Sequence, residues 1–139
     1  MRTMIAPLGR EVEAQLAALD RRRERIARRY VARLRLEPLL GVPVERGALA
    51  SYGCRRVYFD RDSRPDDVFA APGASRRGDE DPSRGPKWRI VYWIREAPQT
   101  GVRLLIILAV GEGHPDPGQP TAYELAGAQL ARLTKGRFA

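Results

Sequence analysis

The sequence predicts an α+β fold: an N-terminal helical hairpin packed on a small antiparallel β-sheet and closed by a C-terminal helix. Three observations predict it. Residues 87–95 alternate, with Trp88, Ile90, Tyr92 and Ile94 on one side and Lys87, Arg89, Val91, Trp93 and Arg95 on the other, which is the period of a strand. Before them, Val12, Leu16 and Leu19, then Ile26, Tyr30, Val31 and Leu34, recur at helical spacing. Near the end, Thr121-Ala-Tyr-Glu124 has the pattern of a capping box, in which a hydroxyl and a carboxylate close the first turn of a helix.

Taken in order, residues 2–6 suit a short edge strand, broken at once by Pro7 and Gly9. One helix spans Arg10–Leu19. Asp20 caps a second from Arg21, and Pro38 stops it, although one long kinked helix fits the same residues. The arginines at 21, 22, 23, 25, 28, 29, 33 and 35 mostly avoid the apolar stripe and read as a solvated face. A connector over 39–47 leads to a strand at Gly53–Asp60. There Val57 and Phe59 suit the core, while Arg56 and Tyr58 share the opposite face with Arg89 of the next strand.

Residues 61–86 are rich in Pro, Gly, Ser, Asp and Arg, with Val68 and Phe69 as the only large apolar side chains, and are expected to form a mobile insertion loop. Beyond the 87–95 strand, a loop at Glu96–Gly101 completes a hairpin with Val102–Val110. That last strand is apolar on both faces after Arg103, so it needs an interior place in the sheet. A breaker-rich loop over 111–120 precedes the final helix, whose face is Ala126, Leu130 and Leu133 and whose stop is Gly136. Helices on one face of the sheet and a basic concave surface on the other are expected.

With 139 residues the chain suits one domain, 1–139, with a single core. No apolar run approaches the roughly 20 residues that cross a bilayer, and the N-terminus lacks a secretion signal, so a cytoplasmic protein with no membrane partner is expected. Cys54 stands alone and pairs with nothing inside the chain. A net charge of +8 points to a polyanionic partner. Two of the 25 basic residues are lysines and the other 23 are arginines, a skew that a GC-rich genome also produces.

No P-loop, dinucleotide glycine motif or HExxH occurs, and one histidine with one cysteine leaves metal chemistry to carboxylates. Asp79-Glu-Asp81 lies in the expected loop and reads as solubilising. No serine sits in a strand-to-helix elbow to use the histidine. What remains is a set of arginines and tyrosines with one histidine around the sheet.

Four segments carry a resemblance: Gly53-Cys-Arg-Arg-Val-Tyr-Phe59, Trp88-Arg-Ile-Val-Tyr92, Leu108-Ala-Val-Gly111 and Ala122-Tyr-Glu-Leu-Ala126. In that order and spacing the chain resembles the RelE/ParE superfamily of bacterial type II toxin–antitoxin toxins, over about residues 10–59 and 87–133. The resemblance implies a RelE-like fold and metal-independent, ribosome-dependent cleavage of mRNA, with no cofactor. It places catalytic roles on Arg56, Arg89 and Tyr123; Arg55, Tyr58, Lys87 and Arg103 are the candidate RNA contacts around them. The implied partners are a cognate antitoxin, mRNA and the ribosome, with the chain a monomer or part of a toxin–antitoxin hetero-oligomer.

Arginine suits the role because it forks onto phosphate oxygens and keeps its charge, which makes it a clamp rather than a general base. The pattern departs at Gly113, where the family carries an arginine; the adjacent His114 is the titratable candidate to replace it. The alternative is a non-catalytic module, ParE-like and binding gyrase, or diverged and binding another protein or RNA. A structural accessory protein is the third reading.

Overall fold

The computed structural model describes residues 2–66 and 86–135. They form β1 (Arg2–Ile5), α1 (Arg10–Ala17), α2 (Arg21–Leu36), β2 (Val42–Pro43), α3 (Gly47–Ser51), β3 (Arg55–Phe59), β4 (Trp88–Ala97), β5 (Val102–Glu112) and α4 (Ala122–Thr134). The five strands make one sheet in the order β1-β5-β4-β3-β2.

The sheet is mixed rather than antiparallel, which corrects the sequence-based expectation. β1 runs parallel to β5, with Arg2 opposite Val102 and Ile5 opposite Leu105, while the other pairs are antiparallel. A parallel pair needs a crossover, and α1 and α2 supply it. β5 is thereby an interior strand, as its two apolar faces require.

A second correction concerns the layers. α1 and α2 cover one face, where Leu16, Ile26, Tyr30 and Leu34 pack on Val57, Phe59, Ile90, Tyr92 and Leu105. The other face is also covered: α3 and α4 bring Leu49, Ala122, Ala126 and Leu130 onto Val91, Trp93, Leu108 and Ala109. A bare sheet face would leave Val91 and Leu108 in water, at roughly 2 kcal/mol for each large apolar side chain. The buried stripe of α4 is Ala122, Ala126, Leu130 and Thr134, and Leu133 turns outward. Its start is the expected capping box, with Glu124 N donating to Thr121 Oγ1 at 3.0 Å and Thr121 N to Glu124 Oε1 at 3.2 Å.

β2 falls in the segment read as a plain connector and α3 begins at its last residue; elements of two and five residues leave no periodicity to read. Between Val91 and Tyr92 the β4–β5 register slips, so that Val91 faces Ala109, Tyr92 faces Ile107, and Leu108 is an extra, bulged residue. Gln15 of α1 repairs the ladder beside the bulge, its Oε1 accepting from Val110 N at 2.8 Å.

Two polar fastenings hold α2 to the sheet. Asp60, just past β3, accepts from Arg23 Nε at 2.8 Å, Arg61 N at 2.9 Å and Lys87 N at 3.1 Å. Burial alone would raise the Asp60 carboxyl, but these donors outweigh it and hold it below the usual carboxylate range. At the far end of α2, the Tyr92 hydroxyl donates to Pro38 O at 2.7 Å and accepts from Gly41 N at 3.1 Å. Arg55 closes the same clip by donating to Gly41 O at 2.8 Å. Gly41 is obligatory there, since a Cβ would stand 2.5 Å from Arg56 O and 2.8 Å from Tyr92 Oη.

Of the loop expected over 61–86, residues 67–85, with Val68, Phe69 and Asp79–Asp81, lie outside the described residues, as does Gly136. Residues 61–66 are fastened to α2: Arg22 Nε donates to Arg61 O at 2.7 Å, Arg29 Nη1 to Asp66 Oδ2 at 2.6 Å, and Arg33 to Pro65 O.

Candidate functional site

Strand alternation puts Arg56 and Tyr58 of β3, with Cys54 just before it, on the α4 face together with Arg89 of β4, and pairing sets Tyr58 directly opposite Arg89. α4 brings Tyr123 over the same spot. Arg89 Nε donates to Tyr123 Oη at 3.1 Å, and its Cζ lies 4.2 Å from the centroid of the Tyr58 ring. Arg56 Nε donates to Tyr58 Oη at 2.7 Å, and its Cζ lies 5.5 Å from the Tyr123 ring. Two guanidinium groups and two phenols thus interleave, gathered from β3, β4 and α4.

The two arginines are not equivalent. Arg89 is 2% exposed, and its Nη1 donates to Pro86 O at 2.8 Å and Trp88 O at 3.2 Å. Its charge is held by carbonyls, a phenol oxygen and a π face. Arg56 and Tyr123 are half-buried and border solvent. An anion arriving from outside therefore meets Arg56 and the Tyr123 hydroxyl first, with Arg89 behind them.

Gly113 is packed too closely against its neighbour to carry a side chain. Its N donates to Lys87 O at 2.9 Å, which seats it against β4. A Cβ there would stand 2.7 Å from Arg89 Cζ and 2.8 Å from Nη2. A side chain at 113 and Arg89 in this pose exclude one another.

The other residues singled out from the sequence lie elsewhere. His114 is exposed, one residue beyond Gly113, and makes no hydrogen bond or ion pair among the described residues. Lys87 is exposed at the start of β4. Arg55 belongs to the Gly41 clip on the α2 side of the sheet. Arg103 sits at the opposite end of β5, about 26 Å of strand from Gly111, where it pairs with Glu96 at 3.2 Å. Cys54 is buried beside the cluster on the same face, and burial pushes its thiol up to about 11.

Reasoning from the sequence missed a second concentration of arginine. Arg22, Arg25 and Arg29 of α2 face Arg61 and Arg64 across a groove of about 580 Å³, floored by Ile26 and Pro65 and reached by Asp66. None of Arg56, Tyr58, Arg89 or Tyr123 lines it. The 22, 25, 29 spacing is visible in the sequence, but its union with 61 and 64 depends on how the chain leaves β3. Among the described residues no three His, Cys, Asp or Glu side chains come together as metal ligands, and no helix is long and apolar enough to cross a membrane.

Comparison with known proteins gives no match: no family model, no curated protein and no solved structure corresponds to this chain.

Proposed function

We propose that this chain is a RelE-like toxin that cleaves mRNA in the ribosome, with Arg56 and Tyr123 meeting the reacting phosphate and Arg89 positioning both tyrosines. The observation that carries this reading is the convergence of Arg56, Tyr58, Arg89 and Tyr123 from three elements onto one spot. Those are residues that the family motif would have to bring together.

In this reaction the ribose 2′-oxygen bonds to phosphorus and the P–O5′ bond breaks. The 2′-proton leaves to water, and Tyr123 gives its proton to the departing 5′-oxygen. The geometry suits that role, because Tyr123 Oη already accepts from Arg89 Nε, which leaves its own O–H free to point outward. Arg56, still partly in solvent, forks onto the non-bridging oxygens as negative charge builds there. Arg89 keeps the Tyr123 hydroxyl and the Tyr58 ring in register and stays out of reach of substrate. An acidic antitoxin that covers Arg56 would silence the site.

The test is cleavage of ribosome-bound mRNA in the presence of a chelator, with product ends mapped. Products ending in 2′,3′-cyclic phosphate, and a loss of about 10²–10³ in rate for Arg56→Ala, are expected. Uncut messenger with wild-type protein would sink the enzyme reading. A second reading, a non-catalytic binding module, is favoured by one observation: Arg89 is 2% exposed and already hydrogen-bonded. It predicts tight binding of a target with no product at all.

A further inference from the structure

We infer that the groove between α2 and residues 61–66 is a second, separate site that grips the phosphate backbone of single-stranded RNA without reading its bases. The first argument is charge balance within one helix. Arg23, Arg28 and Arg33 of α2 are each paired with carboxylates: Asp20 and Asp60, Glu13 and Glu24, and Glu37 respectively. The arginines that face the groove differ. Arg22 is bonded to a carbonyl, Arg25, Arg61 and Arg64 form no ion pair among the described residues, and only Arg29 has a carboxylate, Asp66. Five guanidinium groups thus surround one acidic side chain. Genome composition explains many arginines, and Arg21 and Arg35 of the same helix also form no ion pair among the described residues, but it does not explain why five arginines from two separate segments line one groove.

The second argument is shape. Arg22 to Arg29 spans about 10 Å of helix axis, which suits a run of phosphates better than a single one. Among the described residues no aromatic side chain lines the groove, so they offer bases nothing to stack on. Contacts to phosphate position a strand and leave its sequence unread. The groove also lies at the same end of the sheet as the Arg56–Tyr123 cluster, because Arg61 follows directly on β3 and Tyr58 is opposite Arg89. RNA is chosen over a free polyphosphate on the reading of function above, and the experiment keeps the two apart.

The probe is a fluorescent 12-nucleotide 2′-O-methyl RNA, which no 2′-hydroxyl attack can cut, so cleavage does not enter the measurement. Binding is followed by anisotropy from low to moderate salt for wild type, for Arg25→Ala/Arg64→Ala, and for a charge-matched control, Arg2→Ala/Arg46→Ala. Circular dichroism melts check that each folds. The groove variant is expected to bind at least tenfold more weakly, with the slope of log affinity against log salt reduced by about 1.4 for two lost phosphate contacts. The control should shift affinity less than threefold, and poly-U and poly-A probes should bind alike. Equal weakening in both variants would mean diffuse charge and overturn the site. Wild-type protein that binds inorganic tripolyphosphate but not the oligonucleotide would overturn the RNA assignment. Groove binding without any cleavage of mRNA would leave this inference standing and sink the enzyme reading instead.

Discussion

Two polar clips flank the sheet, and they are built from the same parts. On the α2 face, Tyr92, Arg55 and Gly41 fit together; on the α4 face, Tyr123, Arg89 and Gly113 do. In both, a glycine lies flat against a polar group because a Cβ has no room. The difference is in what the phenol has left to give. Tyr92 both donates, to Pro38 O, and accepts, from Gly41 N, so its hydroxyl is complete. Tyr123 accepts from Arg89 and is half-exposed, with a partly solvated arginine, Arg56, over its ring. A satisfied tyrosine fastens the fold; one with a proton still to offer can act on something else.

The largest expected effect is at Gly41. Gly41→Ala drives a methyl against the Arg56 carbonyl, a backbone atom that cannot swing aside, and should cost about 3 kcal/mol in urea unfolding. A loss under about 1 kcal/mol would show that the clip on this face is loose.

Alkaline pH comes next, with contributors on both faces. Burial raises the Tyr92 hydroxyl and pushes the Cys54 thiol from 9.0 to about 11. Both are acids whose folded values lie above their unfolded ones, so the unfolded chain ionises first. Stability is fully present below pH 9 and falls as pH rises toward 11. Cys54→Ala should flatten that fall by on the order of 2 kcal/mol, read as urea midpoints at pH 8 and pH 11. An unchanged fall would remove the thiol from the account.

Gly113→Ala should be milder, about 1 kcal/mol, because its methyl meets the far end of a flexible arginine. It should instead loosen Arg89 from Tyr123 and lower any mRNA cleavage more than tenfold. A variant as active as wild type would show that Arg89 positions nothing. Tyr123→Phe takes one acceptor from the buried Arg89 guanidinium, which keeps its carbonyl partners, and should cost about 1 kcal/mol, while Tyr92→Phe leaves both the Gly41 amide and the Pro38 carbonyl unmatched and should cost about 2 kcal/mol. Equal costs for the two phenylalanine variants would erase the distinction between the clips.

Much of this was legible in the chain. Period-two alternation set Arg56, Tyr58 and Arg89 on one face, and the capping box fixed where Tyr123 enters. The parallel pairing of β1 was not legible, because it joins residues about a hundred positions apart and leaves no local mark. Nor was the cover over the second face: α3 is five residues long, and α4 could have packed on either side. Arg55 and Arg56 look equivalent on paper, yet successive strand residues point apart, so one fastens the connector and the other reaches the cluster. Nothing local to Gly113 in the sequence shows that Arg89 fills the space where its Cβ would stand. Arginine is rarely buried, and nothing in sequence spacing announces the exception at Arg89.

The bulge at Leu108 bears on how such a chain can change length over generations. Removing a residue elsewhere in β5 would turn over every side chain on one side of the cut, sending core leucines toward the wrong layer. At Leu108 the extra residue is the one without a partner, so its loss would restore plain alternation and keep Ile107, Val110, Gly111 and Gly113 on their present faces. Descendants that drop a codon in this strand should therefore survive at this position and at few others, at the cost of one buried leucine. A library of single-codon deletions across β5, selected for folding, would record that inheritance directly.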